Sequence, residues 1–354
     1  MSPEPVSSSD RVKTIRLLPP RRSLSWAACL VLWMMLAGIP GLSCQSDDGL
    51  LPGFEHDPAF GEQNKTIRFA PDVRIVINAP ARLSPGKKTL LMIYVLPNGN
   101  SIEWTIGKQL RPGDDWHYDI QHIAAQPRYL RRRRQDRNLI VAYLENDLKS
   151  WPAWRRQHPD QAERIRSIID TLTAGWHSWN PKIALCSHSG GGSFVFGYLN
   201  TLDSIPAVIE RIAFLDSNYG FDENSRQITL LDEWLRNHDQ AVLTVIAYND
   251  SIALLDGKPF VSATGGTWVR SRLMARRFAE LTPMTERRDP QLRRFYGFDG
   301  RLQFILKENP ERNIYHTVLV ARNGLIHSLL AGTADDEKGY RFFGEPVYRR
   351  WIAP

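Results

Sequence analysis

An α/β fold, with one mostly parallel central sheet and helices on both faces, is what this 354-residue chain predicts, on three observations. Several apolar runs of strand length are continuous rather than alternating, the pattern of strands buried on both faces (Thr89 to Leu96, Asn138 to Leu144, Ala241 to Tyr248). Segments of helical period separate them. Each run also empties into a polar or small residue, as happens where sheet strands deliver side chains to a site at their carboxyl ends. Asn98, Asp147, Ser189, Asp216, Asp250 and His327 fall at or just after such ends.

The first 43 residues are set apart from this pattern. A basic, Pro/Ser-rich lead ends at Arg21-Arg22, an apolar run follows from about Leu24 to Ile39, and Pro40-Gly41-Leu42-Ser43-Cys44 supplies small residues for cleavage. That order reads as a signal peptide over 1–43 and export to a periplasmic, outer-membrane or secreted location. Pro40 breaks the apolar run before it reaches spanning length. Cys44 adds the option of a lipid anchor on the mature amino terminus. The formal charge of +7 includes five Lys/Arg and two acids from this segment, so the remainder is close to +4, too modest to point to nucleic acid. Residues 44–65 are acidic, Gly/Pro-bearing and aperiodic and read as a tether or loose lead-in, leaving a single domain over 66–354. Of three cysteines only Cys186 lies in the domain's apolar runs, so no disulfide framework is expected.

Within the domain, Thr66 to Phe69 and Val73 to Asn78 alternate like strands at a sheet edge. After the apolar strand Thr89 to Leu96 comes the turn Pro97-Asn98-Gly99-Asn100, and Ile120 to Ile123 leads into a helix ending in the cluster Arg131 to Arg134, read as a solvated helix face. The strand ending at Leu144 opens into a loop bearing Trp151 and Trp154, placed to line a substrate. Asp160 and Glu163 form a capping-box pattern ahead of Ile165, Ile168, Ile169 and Leu172, with Gly175 closing the helix. Later elements are a strand ending at Leu215, a helix over Thr229 to Arg236, a strand ending at Tyr248, and a helical insertion from Trp268 with a second helix near Pro290 to Tyr296. Strands at Leu302 to Leu306 and Thr317 to Ala321 follow.

The chemistry concentrates in Lys182-Ile183-Ala184-Leu185-Cys186-Ser187-His188-Ser189-Gly190-Gly191-Gly192-Ser193-Phe194. An apolar strand breaks at a serine with small residues two before and two after, then turns into helix, which is how a nucleophile elbow reads. The pattern is S-x-S-x-G, with Ser187 where glycine is usual. A serine hydroxyl needs an imidazole to take its proton, a carboxylate to orient that imidazole, and N–H donors for the acyl oxygen.

In these residues the chain resembles the α/β-hydrolase superfamily, from about Val73 to Gly332. In that family the nucleophile follows the fifth strand, the acid usually the seventh and the histidine the eighth. Carried over, the resemblance implies Ser189 as nucleophile, Asp250 as acid and His327 as base, with oxyanion donors from Gly190 and from Asn98 or Gly99. Asp216 is the alternative acid, at an earlier strand end that some members use, and its own alternative is to cap the turn through Ser217 and Asn218. His316 is set aside because it opens a strand and would face the wrong end of the sheet, and His188 because its position turns it into packing. His122 is read as core packing or a substrate contact.

No metal-binding or phosphate-binding motif is present, and no cofactor is expected. The function expected is an exported serine hydrolase acting on small-molecule or saccharide esters, with no nucleic-acid partner. A serine peptidase of the same fold, and a non-catalytic surface or carbohydrate-binding protein on this scaffold, are the alternatives.

Overall fold

The computed structural model describes residues 49–69, 72–114 and 121–354. The signal segment and Cys44, with its lipid-anchor option, lie outside them. Strands β1 to β8 are Glu55–Asp57, Glu62–Phe69, Val73–Pro80, Lys88–Val95, Arg137–Asn146, Lys182–His188, Ile209–Leu215 and Val242–Tyr248. Strands β9 to β13 are Leu254–Leu255, Lys258–Pro259, Thr285–Arg288, Leu292–Gly297 and Leu302–Lys307. Helices α1 to α5 are Ile102–Ile106, Ala125–Arg133, Trp151–Gln157, Gln161–Gly175 and Gly192–Leu199. Helices α6 to α9 are Gln227–Asn237, Gly266–Leu281, Val318–Ala321 and Gly324–Leu330.

Eleven strands form one sheet in the order β1-β2-β3-β5-β4-β6-β7-β8-β13-β12-β11. The six from β5 to β13 are mutually parallel, and antiparallel strands flank them on both sides. Strand β4 shows why the central runs are continuously apolar. Leu91, Ile93 and Val95 pack into a core with α3 to α7, while Leu90, Met92, Tyr94 and Leu96 pack into a second core with α2, α8, α9 and the C-terminal aromatics Phe342 and Tyr348. Neighbouring side chains point to opposite faces, and both faces are covered. Leaving out β1, β11, β12 and the small β9–β10 hairpin, eight strands remain in chain order, β2 to β8 and then β13. Their spatial order, with crossovers at β4 and β5, is that of the α/β-hydrolase fold.

The ordered domain starts earlier than residue 66. Strand β2 begins at Glu62, and the buried Gln63 side chain ties the lead-in down by accepting from Leu51 N–H at 2.7 Å and donating to Pro80 O at 2.9 Å. Glu62 is buried as well and holds Arg128 and Arg131 at 2.9 and 2.5 Å, so the arginine cluster is partly an internal ion-pair site rather than a wholly solvated face. A run of basic residues conceals this, because pairing across 66 and 69 residues leaves no local period. Strand β3 is likewise interior, between β2 and β5, rather than at an edge.

Three further expectations change. Residues around Pro290 to Tyr296 form β12, hairpinned to β11, instead of a helix. Its inward position is held by Arg294, buried against Glu337 at 2.8 Å, so a charge occupies a core position and hides the two-residue alternation. Thr317 to Ala321 is β-branched but contains the short helix α8, with the adjacent residues Leu319 and Val320 both buried. Asp160 pairs with Arg164 at 2.8 Å and forms no side-chain cap, although α4 runs to Gly175 with Ile165, Ile168, Ile169 and Leu172 buried as expected.

Candidate active site

The elbow is built by close backbone approach. Ser189 follows β6 with φ +52°, a left-handed conformation that costs a side-chain-bearing residue energy and presents its hydroxyl off the strand end. A Cβ on Gly191 would lie 2.3 Å from Val95 O, and one on Gly192 would lie 1.7 Å from Ser217 O. Only glycine lets α5 start this close to β4 and to the loop after β7.

Ser187 is resolved by the same packing. It sits inside β6, paired with Phe214, and is not among the positive-φ residues. Its hydroxyl meets Ser217 Oγ at 2.7 Å, and Ser217 Oγ also donates to Ser187 O at 3.1 Å. The serine at this position thus exchanges glycine's smallness for a buried link to the next strand's loop. With Gly192 resting on Ser217 O, that link locks the turn carrying Ser189 to the turn carrying Asp216.

Asp216 leaves β7 with φ +47° and is fully buried. Its N–H donates to Ile246 O at 2.7 Å. Its carboxylate does not cap the turn through Ser217 and Asn218. Oδ2 receives His316 Nδ1–H at 2.5 Å, and Oδ1 receives the Thr267 hydroxyl. His316 is carried by the loop after β13, and its side chain is 26% exposed. It therefore stands at the carboxyl end of the sheet, because the strand expected to follow it is helix α8. Its ring packs at a 39° tilt against that of His188, the residue just before Ser189, with centroids 4.6 Å apart. The loop is pinned by buried Asn309, whose amide donates to Asn249 O at 3.0 Å and Asn313 O at 2.9 Å.

Asp250 and His327 are placed elsewhere. Asp250 follows β8 but its carboxylate caps α7, accepting Thr267 N–H at 2.8 Å and Trp268 N–H at 3.3 Å. Burial, and then the nearby Asp216 charge, push its carboxyl up to about 6. His327 is fully buried on α9, with Nδ1 3.1 Å from Tyr340 Oη and Nε2 3.1 Å from Gln303 Oε1. Gln303 pairs with Thr244 near the start of β8, at the amino end of the parallel strands. Counting register, Gln303 lies about 10 Å below Ser189 along the strands and three strand spacings, about 14 Å, across. Burial holds the His327 imidazole down to about 3. The structure thus brings Asp216 and His316 together beside His188, the residue that precedes Ser189, and separates His327 from them.

Among the other expected residues, Asn98 lies against the elbow: a Cβ on Gly190 would meet Asn98 Oδ1 at 1.9 Å. The Gly99 N–H is spent on Lys149 O at 2.8 Å, which removes it as an oxyanion donor. Trp151 and Trp154 are buried in α3 and do not line an open surface; Trp151 packs edge-on against Phe194 at 4.7 Å, and Trp154 Nε1–H donates to Asp72 Oδ1 at 2.9 Å. His122, at φ +48°, lines a cleft of ≈ 650 Å³ with Lys108, Val318, Arg322 and Arg349, and burial lowers its imidazole to about 4. No group of three or more His, Cys, Asp or Glu able to hold a metal occurs among the described residues.

Thr267 and His316 are the site residues that sequence reasoning missed. His316 had a usable signal, since the Asn309-Pro310-Glu311-Arg312-Asn313 stretch marks a loop after the last firm strand. Thr267 had none, being one threonine at a helix start.

The Asp250 shift makes a stability prediction. A carboxyl at about 6 in the fold, against 3.8 ordinarily, means the native state binds the proton more tightly. Its contribution is present at acidic pH and is lost as pH rises from about 4 through 6. Asp250→Asn, which retains a cap oxygen, should flatten the pH dependence of unfolding in that window by up to about 3 kcal/mol. Denaturant melts of both proteins at pH 4 to 7 check this, and parallel curves would rule it out.

The fold and its elbow serine define a class, the α/β-hydrolase architecture, in which Ser189 follows the fifth of the eight strands, Asp216 the sixth, Asp250 the seventh and His316 the eighth. Among solved structures the chain is similar to a thermostable esterase (12% identity, 77% of this chain and 64% of that one, TM-score 0.46). It is also similar to brefeldin A esterase, a bacterial homologue of human hormone-sensitive lipase (13% identity, 86% and 81%, TM-score 0.37). An acetyl xylan esterase from Aspergillus awamori is similar too (11% identity, 70% and 92%, TM-score 0.38). The chain spans just under two thirds of the length of the thermostable esterase. No protein-family model and no curated protein matches it.

Proposed function

We propose that this protein is an exported serine hydrolase that cleaves carboxylic esters through Ser189, His316 and Asp216. The observation that carries the reading is the 2.5 Å contact from His316 Nδ1 to a buried carboxylate, made by a histidine whose ring packs against the residue preceding an elbow serine. Because the carboxylate only accepts, Nδ1 carries the proton and Nε2 is left free to act as base. Ser189 Oγ attacks the acyl carbon while His316 Nε2 takes its proton. The oxyanion is met by the Gly190 N–H and by an Asn98 amide. His316 then protonates the departing alcohol, and water, deprotonated by the same nitrogen, releases the acid.

Several exposed apolar side chains leave the same end of the sheet: Leu148 after β5, Tyr219 after β7, Leu255 and Phe260 after β8, and Ile314 after β13. They support an ester with an apolar acyl or alcohol part. The buried Trp151 and Trp154 withdraw the stacking platform that a saccharide ester would use.

A fluorophosphonate probe tests the reading. Stoichiometric adduct on the Ser189 peptide, absent in Ser189→Ala, is expected. A folded protein that stays unlabelled while a control hydrolase reacts would favour the non-catalytic scaffold. The intact mass of the same sample, expressed with its leader, reads whether the mature chain begins at a lipidated Cys44.

A further inference from the structure

We propose that His188 is a positioning residue that fixes the base to the nucleophile's own strand. The inference rests on the reading of His316 as base. His188 ends β6, is 1% exposed, and places Nε2 3.1 Å from the backbone oxygen of His316. A carbonyl oxygen only accepts, so His188 is the Nε2–H tautomer and its Nδ1 is bare. That Nδ1 is buried and has no hydrogen-bond partner. Nothing therefore holds the ring except the His316 carbonyl, the His316 ring packed against it at a 39° tilt, and surrounding packing.

This arrangement answers a geometric problem. His316 is the ninth residue of the loop that leaves β13 at Glu308, three strands across the sheet from β6, with no strand ladder to hold it. Asp216 fixes only the Nδ1 edge of the imidazole. The bond from His188 Nε2–H to the His316 carbonyl sets how far the loop reaches, and the ring packed beside it limits the tilt of the imidazole. Since His188 is bonded covalently to Ser189, any shift of the elbow carries the base with it, and the distance for proton transfer is preserved. Neutrality suits this role, because a cation here would oppose the imidazolium that His316 becomes. Burial, followed by the proximity of His316, keeps His188 well below its usual range. The charged and titratable groups around the pair are Asp216 on His316, Asp250 beyond Thr267, and the Tyr219 and Tyr248 phenols close to both acids.

Three variants separate positioning from packing. His188→Gln keeps an amide donor of similar reach, His188→Phe keeps a stacked ring without the donor, and His188→Leu keeps neither. The Phe and Leu proteins should lose about 10- to 100-fold in kcat with KM within about twofold, whereas Gln should recover most of kcat. The low-field proton resonance of the His316–Asp216 bond should persist in Gln and move or broaden in Phe and Leu. If Phe does not fold, Leu and Gln carry the comparison. Wild-type kcat with an unmoved resonance in Phe or Leu overturns the proposal. Failure of the catalytic reading shows instead as an unlabelled Ser189 in the unaltered protein, while the resonance still reports whether His188 holds His316.

Discussion

His316→Ala is expected to lower ester turnover by about 10⁴-fold or more in kcat/KM, close to the loss from Ser189→Ala. Without the imidazole the serine proton has no acceptor, and the departing alcohol has no acid. Asp216 cannot substitute, being fully buried and already engaged by Thr267. His327→Gln provides the contrast. It disturbs a buried pair of hydrogen bonds to Tyr340 and Gln303, so it should cost about 1–3 kcal/mol of folding stability yet leave kcat/KM within about threefold. Steady-state hydrolysis of a short-chain p-nitrophenyl ester, beside thermal melts, separates the two effects. Turnover lost in the His327 variant and kept in the His316 variant would reverse the assignment.

Asp216→Asn should reduce kcat by about 10³- to 10⁴-fold with little change in the melting curve, since asparagine preserves the volume but favours the wrong imidazole tautomer. Asp250→Asn should stay within about tenfold, because its carboxylate caps α7 and does not touch His316. Both acids reach the hydroxyl of Thr267, so the second substitution is felt at the site only through the placement of that threonine. Measuring kcat for both at pH 7 and 8 decides. A larger loss at Asp250 would move the acid back to the seventh strand end.

Much of the fold is legible in the sequence, because the elements concerned carry local signals. Strands β4, β5 and β8 announce themselves by continuous apolar runs, since burial on both faces removes alternation. The elbow announces itself by three glycines after a serine, each facing a close contact from Asn98, Val95 or Ser217. Helix α4 shows its buried stripe at helical spacing. Where a core position holds a charge paired far along the chain, as at Arg294 with Glu337 or Glu62 with Arg128, the local period fails and the element is misread.

By itself, then, the sequence determined the layered α/β class, the strand ends at which chemistry collects, and the serine that the elbow presents. Which acid meets a histidine beside that serine was decided by tertiary structure. Asp216 and Asp250 both end strands and both carry carboxylates; they differ in that one meets an imidazole and the other meets the first N–H groups of a helix. His316 and His327 are eleven residues apart at opposite ends of the sheet, because α8 is a helix and not a ninth strand of the series. Residue type sets what a side chain can do, but the path of the loop after β13, tied by Asn309 and His188, sets what it reaches.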